Sequence, residues 1–141
     1  MLKKIERAQQ LLKKEAVVFR CPTCHEPMHL EGVGLICQQR HQFDLSKKGT
    51  LYFLNHGVQT EYNKKMFTSR GKMIQSGMYA PVLNKIMHYL PQNKTVVDVG
   101  CGEGSFLAEL SQAGLSGLKI GFDLSKEGIY LASNQPIDAF W

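Results

Sequence analysis

Val96-Val97-Asp98-Val99-Gly100-Cys101-Gly102-Glu103-Gly104 decides the fold. Four residues, β-branched apart from one acid, give way to three alternating glycines, and Phe106-Leu107-Ala108-Glu109-Leu110 then resumes at helical spacing. The pattern predicts a strand covered on both faces, a tight glycine turn and a helix start in direct succession. Such a unit belongs to the α/β class and lets a ligand lie against bare backbone at a helix N-terminus.

The spacing narrows the ligand. Glycines at 100, 102 and 104 read G-x-G-x-G, whereas the dinucleotide fingerprint G-x-G-x-x-G needs Gly or Ala at 105, where this chain has Ser105. That counts against a nicotinamide cofactor. A second short strand, Leu118 to Phe122, ends in Asp123, an acid 23 positions after Gly100 and placed to accept both hydroxyls of an adenosine ribose. The glycine loop with Asp98 before it and a strand-end acid after it resembles the S-adenosylmethionine site of class I methyltransferases. On this reading Asp98, Gly100, Gly104 and Asp123 serve the cofactor: the glycines admit its methionine end, Asp98 organises the ammonium directly or through water, and Asp123 holds the ribose. The alternative is a βαβ turn whose glycines serve packing alone.

Outward from this stretch, composition sets bounds. A length of 141 residues, 43% hydrophobic and 21% charged, suits one ordinary domain, or a small module plus part of a larger one. No apolar run approaches a membrane span and the N-terminus lacks a signal-peptide core, so the expected setting is cytoplasmic, with no membrane partner. The net charge of +5 is uneven: residues 1–73 hold 13 Lys/Arg against 6 Asp/Glu, and residues 74–141 hold 4 against 6. A basic first part joined to a slightly acidic second part fits a polyanion such as RNA, or a merely solubilising surface.

The N-terminal segment, residues 1–16, places Leu2, Ile5, Ala8, Leu11 and Leu12 along one side of an amphipathic helix. Its small apolar face, without aromatics, favours packing on its own protein over binding a membrane surface. Val17 to Arg20 reads as a strand leading into Cys21-Pro22-Thr23-Cys24, and Cys37-Gln38-Gln39-Arg40-His41 follows. The C-x2-C-x12-C-x3-H spacing offers two ligand pairs from tight turns, and Zn(2+) suits Cys21, Cys24, Cys37 and His41 as a closed tetrahedral set. A disulfide is the alternative, disfavoured by an odd thiol count in a reducing compartment. His25 and His29 are rival ligands, better read as surface residues, and Cys101 reads as a small residue lining the glycine turn. Val33 to Ile36 and Gln42 to Leu54 complete a small β-rich zinc module spanning 17–54.

Residues 55–62 lose the apolar pattern and are read as a linker. Asn63 to Ser76 predicts a basic helix stopping at Gly77, and Val82 to Leu90 predicts another after the turn Met78-Tyr79-Ala80-Pro81. Tyr79, in a turn before the glycine-loop domain of 63–141, is well placed to cover a cofactor.

CPTCHEP, ICQQRHQFDLSKKGTL, SGMYAPV, VVDVGCGEGSF and GFDLSK, in that order along nearly the whole chain, resemble the bacterial 23S rRNA guanine-N1 methyltransferases. The resemblance implies a zinc module that recognises an rRNA hairpin, with Cys21, Cys24, Cys37 and His41 on zinc. It further implies an S-adenosylmethionine-dependent domain with Tyr79, Gly102 and Glu103 on the cofactor. The expected fold is therefore a β-rich zinc module followed by the first part of a Rossmann-like methyltransferase domain. A class I sheet has seven strands, so a chain ending at Trp141 is expected to be a fragment lacking the guanine pocket, and no catalytic residue is assigned. Its exposed sheet edge invites self-association into a homodimer. From another class, the alternative is a non-catalytic zinc-dependent RNA-binding module with a vestigial cofactor fold.

Overall fold

Apolar residues recurring on one side of Lys4–Glu15 form helix α1, which buries Ala8 and Leu12 and keeps Lys13 and Lys14 exposed in its last turn. The chain then tightens instead of extending. Ala16–Val18 is a 3-10 turn in which Phe19 N–H donates to Ala16 C=O at 3.0 Å. Val17, 72% exposed, and Val18 point to solvent while Phe19 enters the core, so the strand expected over Val17–Arg20 is reduced to one bridge between Arg20 and Pro27. Proline has no N–H with which to carry a ladder further at that point.

Three short strands follow: β1 (Met28–Glu31), β2 (Gly34–Cys37) and β3 (Gln42–Asp44). They form an antiparallel sheet in the order β1-β2-β3, with Met28 opposite Cys37 and Leu35 opposite Phe43. Every residue of β2 is buried, as befits its central place. Strand β1, absent from the expectations above, alternates apolar Met28 and Leu30 with the polar, exposed His29 and Glu31, the period of a half-buried strand.

Asn63 caps helix α2 (Lys64–Gln75), its side chain accepting Met66 N–H at 3.0 Å. Helix α3 (Ala80–Tyr89) begins with Pro81 in its first turn, where the missing N–H costs nothing. Strand β4 (Val96–Val99) leads through the glycine loop into α4 (Ser105–Gln112), and β5 (Lys119–Phe122) leads into α5 (Lys126–Ala132). β4 and β5 pair in parallel, Val96 opposite Lys119 and Val99 opposite Phe122. Leu83, Leu107, Leu110, Leu115, Ala132 and Trp141 gather around Cys101 as the core of this part. The expectation that β4 is covered on both faces is corrected: Val97 is 49% and Val99 82% exposed, and Phe122 beside them is exposed too. A β-branched run reads alike whether one face or both is packed.

The computed structural model describes residues 1–141. They divide into one unit of Met1–Gly57 with Phe140 and a second of Val58–Ala139 with Trp141. No helix is long and apolar enough to cross a membrane.

Candidate functional site

In the first unit, two turns present four metal-ligating atoms. Cys21 N–H donates to Glu26 C=O and His25 N–H to Cys21 C=O, which folds the first turn around Cys21 and Cys24. Arg40 N–H donates to Cys37 C=O and Cys37 N–H to His41 C=O, which folds the second. Each turn sets one non-glycine residue in the left-handed region, His25 at φ +62° and Arg40 at φ +65°. Such a conformation costs of order 1 kcal/mol and persists where the surroundings over-determine it.

The four atoms converge. Cys21 Sγ lies 3.5 Å and Cys37 Sγ 3.4 Å from His41 Nδ1, Cys24 Sγ lies 3.6 Å from Cys37 Sγ, and all four fall within 4.8 Å of one another. Ligands about 2.3 Å (sulfur) and 2.0–2.1 Å (nitrogen) from one tetrahedral zinc would stand about 3.5–3.8 Å apart, so the set fits that ion. Burial pushes the Cys21 thiol up, but backbone N–H groups of Cys24 and Thr23 and the neighbouring sulfurs outweigh it and hold the thiol well below its ordinary value. A thiolate is the form a metal takes. His25 and His29 are exposed, and His29 stands 3.5 Å from Glu31, so neither joins the cluster.

In the second unit, the glycine loop uses its own donors. Gly100 and Cys101 N–H groups both donate to Phe122 C=O, Gly104 N–H to Cys101 C=O, Gly102 N–H to Asp123 Oδ2 at 2.8 Å, and Ser105 N–H to Glu103 Oε1 at 3.3 Å. A phosphate cradle needs those groups free. What surrounds the loop instead is carboxylate. Asp98 at the end of β4, Glu103 within the loop and Asp123 beyond β5 act on one another, and Arg70 of α2 is the cation among them. Burial pushes the Asp98 carboxyl up, Arg70 opposes that, and Glu103 and Asp123 add to it. Asp98 Oδ2 is buried without a hydrogen-bond partner.

Glu103 is nearly buried in the loop. Its side chain is 5% exposed and its Oε2 accepts from Arg70 Nη1 at 3.1 Å, while the same Nη1 lies 3.4 Å from Cys101 C=O. The bare Cα of Gly102 is explained by this neighbour: a Cβ there would strike the Arg70 guanidinium and the Phe67 ring. Gly100, at φ +81°, has open space where its Cβ would stand, so it is the loop glycine that leaves room for a ligand. Gly104 instead backs onto the Trp141 ring. Asp123 Oδ1 accepts Ser125 N–H at 2.8 Å, so both carboxylate oxygens hold backbone. Each keeps a further lone pair for a hydroxyl. Tyr79 sits at the residue before α3 and leans edge-on against Phe106 in the first turn of α4, ring centroids 6.3 Å apart. Cys101 is fully buried, and burial first, then the Asp98 and Asp123 charges, push its thiol up to about 12, which makes it inert packing.

Two residues at the loop escape sequence reasoning. Arg70 is one of several basic residues on α2, and only the fold carries it to Glu103. Gln135, beyond α5, donates from Nε2 to Glu103 C=O at 2.9 Å and pins the loop from the other side. No sequence signal marks Arg70; its neighbour Gly71 is small where a Cβ would crowd Ser105 Oγ at 3.1 Å.

Comparison with known proteins bears on both units. Residues 19–55 match the family model described as RlmA, N-terminal, a zinc ribbon. The chain is 38% identical over 136 residues to a Bacillus subtilis protein named "Putative 23S rRNA (guanine-N(1)-)-methyltransferase YxjB", covering 88% of this chain and 48% of that protein. It is 25% identical over 130 residues to the 23S rRNA (guanine(748)-N(1))-methyltransferase of Streptomyces fradiae, covering 86% and 46%. A stretch of 45 residues is 44% identical to the protein-lysine N-methyltransferase EFM4 of Saccharomyces cerevisiae, 32% of this chain and 20% of that protein. The chain spans about half the length of the two rRNA methyltransferases it matches.

Proposed function

We propose, from the match to two proteins named as 23S rRNA guanine-N1 methyltransferases over about half their length, that these residues hold S-adenosylmethionine at the Gly100–Gly104 loop and a structural zinc at Cys21, Cys24, Cys37 and His41. They do so in the service of methylating a guanine N1 in 23S rRNA. The observation that carries the cofactor reading is the engagement of the Gly100, Cys101, Gly102 and Gly104 N–H groups beside three carboxylates and one guanidinium. A polyphosphate would find the N–H groups of all three glycines already engaged and a net negative charge there, whereas a sulfonium with an α-ammonium meets attraction. The matched proteins are named as methyltransferases of acceptors as unlike as rRNA and a protein lysine.

Bound S-adenosylmethionine supplies an activated methyl group on a cationic sulfur. The chain's own residues have three tasks. Asp98 Oδ2, buried and unpartnered, accepts the ammonium, and Gly100 leaves the backbone open beside it. Asp123 takes the ribose hydroxyls on its remaining lone pairs while it ties Gly102 and Ser125. Tyr79, partly exposed next to Phe106, covers the site from α3. Transfer to a ring nitrogen is governed by placing the nucleophile in line with the S–CH3 bond, and no residue of this chain is assigned to deprotonate N1.

The zinc ribbon serves RNA recognition. Its ligands form a closed set with no open position for water, so the ion folds the module and does no chemistry. Lys47 and Lys48 stand exposed on the turn after β3 and offer charge to phosphates. Tritium transfer from labelled S-adenosylmethionine to large-subunit rRNA, with the modified base identified by mass spectrometry, tests the activity in a protein carrying this chain. Label appearing only on a base other than guanine, or only on protein, contradicts it. A non-catalytic RNA-binding role would instead show rRNA retention with no bound S-adenosylmethionine.

A further inference from the structure

We propose that Arg70 is the carboxylate-binding residue of the cofactor pocket, its spare guanidinium edge taking the α-carboxylate of the methionine moiety beside Asp98. The inference rests on the S-adenosylmethionine reading above and adds a residue to it.

Two groups at the glycine loop have unused hydrogen-bonding capacity of opposite sign. Asp98 Oδ2 is buried with no donor. Arg70 spends only Nη1, on Glu103 Oε2 at 3.1 Å and on Cys101 C=O at 3.4 Å, and its side chain remains 39% exposed. A guanidinium carries five N–H donors, so the Nη2 pair and Nε–H stay available. An orphaned carboxylate oxygen and a half-used guanidinium flanking one loop are complementary to a zwitterion, ammonium on the first and carboxylate on the second.

Arg70 is also held where it must be. Its contact with nearly buried Glu103 fixes Nη1, and the missing Cβ of Gly102 admits the guanidinium against the loop. A lysine would keep the charge but lose the planar fork that can grip Glu103 and a ligand carboxylate together. Without Arg70 the loop would be bordered by Asp98, Glu103 and Asp123 alone, an environment hostile to any carboxylate.

The experiment compares two ligands that differ in that one group. Calorimetric titration of the zinc-loaded chain with S-adenosylmethionine and with decarboxylated S-adenosylmethionine gives an affinity ratio in which general loosening of the site cancels. The wild-type chain should bind S-adenosylmethionine about tenfold or more tightly than the decarboxylated analogue, the usual scale for a charge-assisted pair. In Arg70→Met the preference should vanish or reverse, because the extra positive charge of the analogue suits the remaining acids. Arg70→Lys should retain part of it. A wild-type chain that binds both ligands equally overturns the proposal, and so does an Arg70→Met chain that weakens both by the same factor, the behaviour of a purely structural residue. Should Arg70→Met fail to fold, the wild-type ratio and Arg70→Lys decide. Binding of neither ligand by the wild-type chain overturns the cofactor reading itself.

Discussion

The backbone N–H of Gly102 donates to Oδ2 of Asp123 at 2.8 Å, which ties the middle of the glycine loop to the end of the neighbouring strand. The other oxygen of that carboxylate accepts Ser125 N–H, where α5 begins. Asp123 is therefore a structural clamp before it meets any ligand.

Asp123→Ala should destabilise the ligand-free protein as well as weaken S-adenosylmethionine binding. Two backbone donors lose their acceptor, and leaving such groups unsatisfied costs about 1–3 kcal/mol each when buried. A thermal melt without cofactor should show a Tm lower by about 4–8 °C for each kcal/mol lost. An unchanged melt with weakened binding would make Asp123 a ligand contact only.

Asp98→Asn should do the opposite to stability. Burial raises the Asp98 carboxyl above its ordinary value of 3.8, so the folded state favours the neutral acid. That contribution is fully present below pH 3.8 and is lost as pH rises through the folded value. The amide is neutral throughout. Melts should therefore show Asp98→Asn more stable than the parent at pH 7 and no more stable in acid, while its affinity for S-adenosylmethionine falls. Equal stability at both pH values would mean that the orphaned carboxylate carries no burden.

Zinc removal should unfold the ribbon. Its sheet and ligand turns lie within residues 21–44, and chains below roughly 40 residues seldom fold without a staple. Structural zinc contributes on the order of 10 kcal/mol in finger peptides. After chelation, amide protection across β1, β2 and β3 should collapse and return on adding zinc. Protection that survives complete metal removal would contradict the assignment.

Lys47→Ala with Lys48→Ala should weaken binding to a 23S rRNA hairpin and reduce the slope of log K against log salt by about 2, roughly one counterion per phosphate contact. Arg40 should matter less than Lys47. Its Nη1 stands 3.4 Å from both Glu31 oxygens, so part of its charge is already answered. Filter binding across a salt series measures both effects, and an unchanged slope would mark the lysines as solubilising.

The ligand cluster was legible because two-residue and three-residue gaps force Cys and His onto the inside of tight turns, whatever lies between them. The β4–loop–α4 order was legible for a similar reason: Gly100 and its neighbours permit few alternatives after a β-branched run. Arg70 was hidden, since its role depends on Glu103, distant in sequence, and a basic residue on a basic helix carries no mark of its partner. Val17 and Val18 misled because their β propensity is overridden by the 3-10 end of α1. The exposure of Val97 and Val99 was equally invisible, because residue type records a preference for burial and not whether a covering element is present.

The most direct test of the cofactor site is a two-dimensional amide spectrum of the zinc-loaded, isotope-labelled chain titrated separately with S-adenosylmethionine and with NAD. The account predicts saturable shifts with S-adenosylmethionine at Gly100, Cys101, Gly102, Glu103 and Gly104 and around Tyr79 and Asp123, and none with NAD. Shifts at that loop with NAD alone, or an unmoved loop under saturating S-adenosylmethionine, would contradict it.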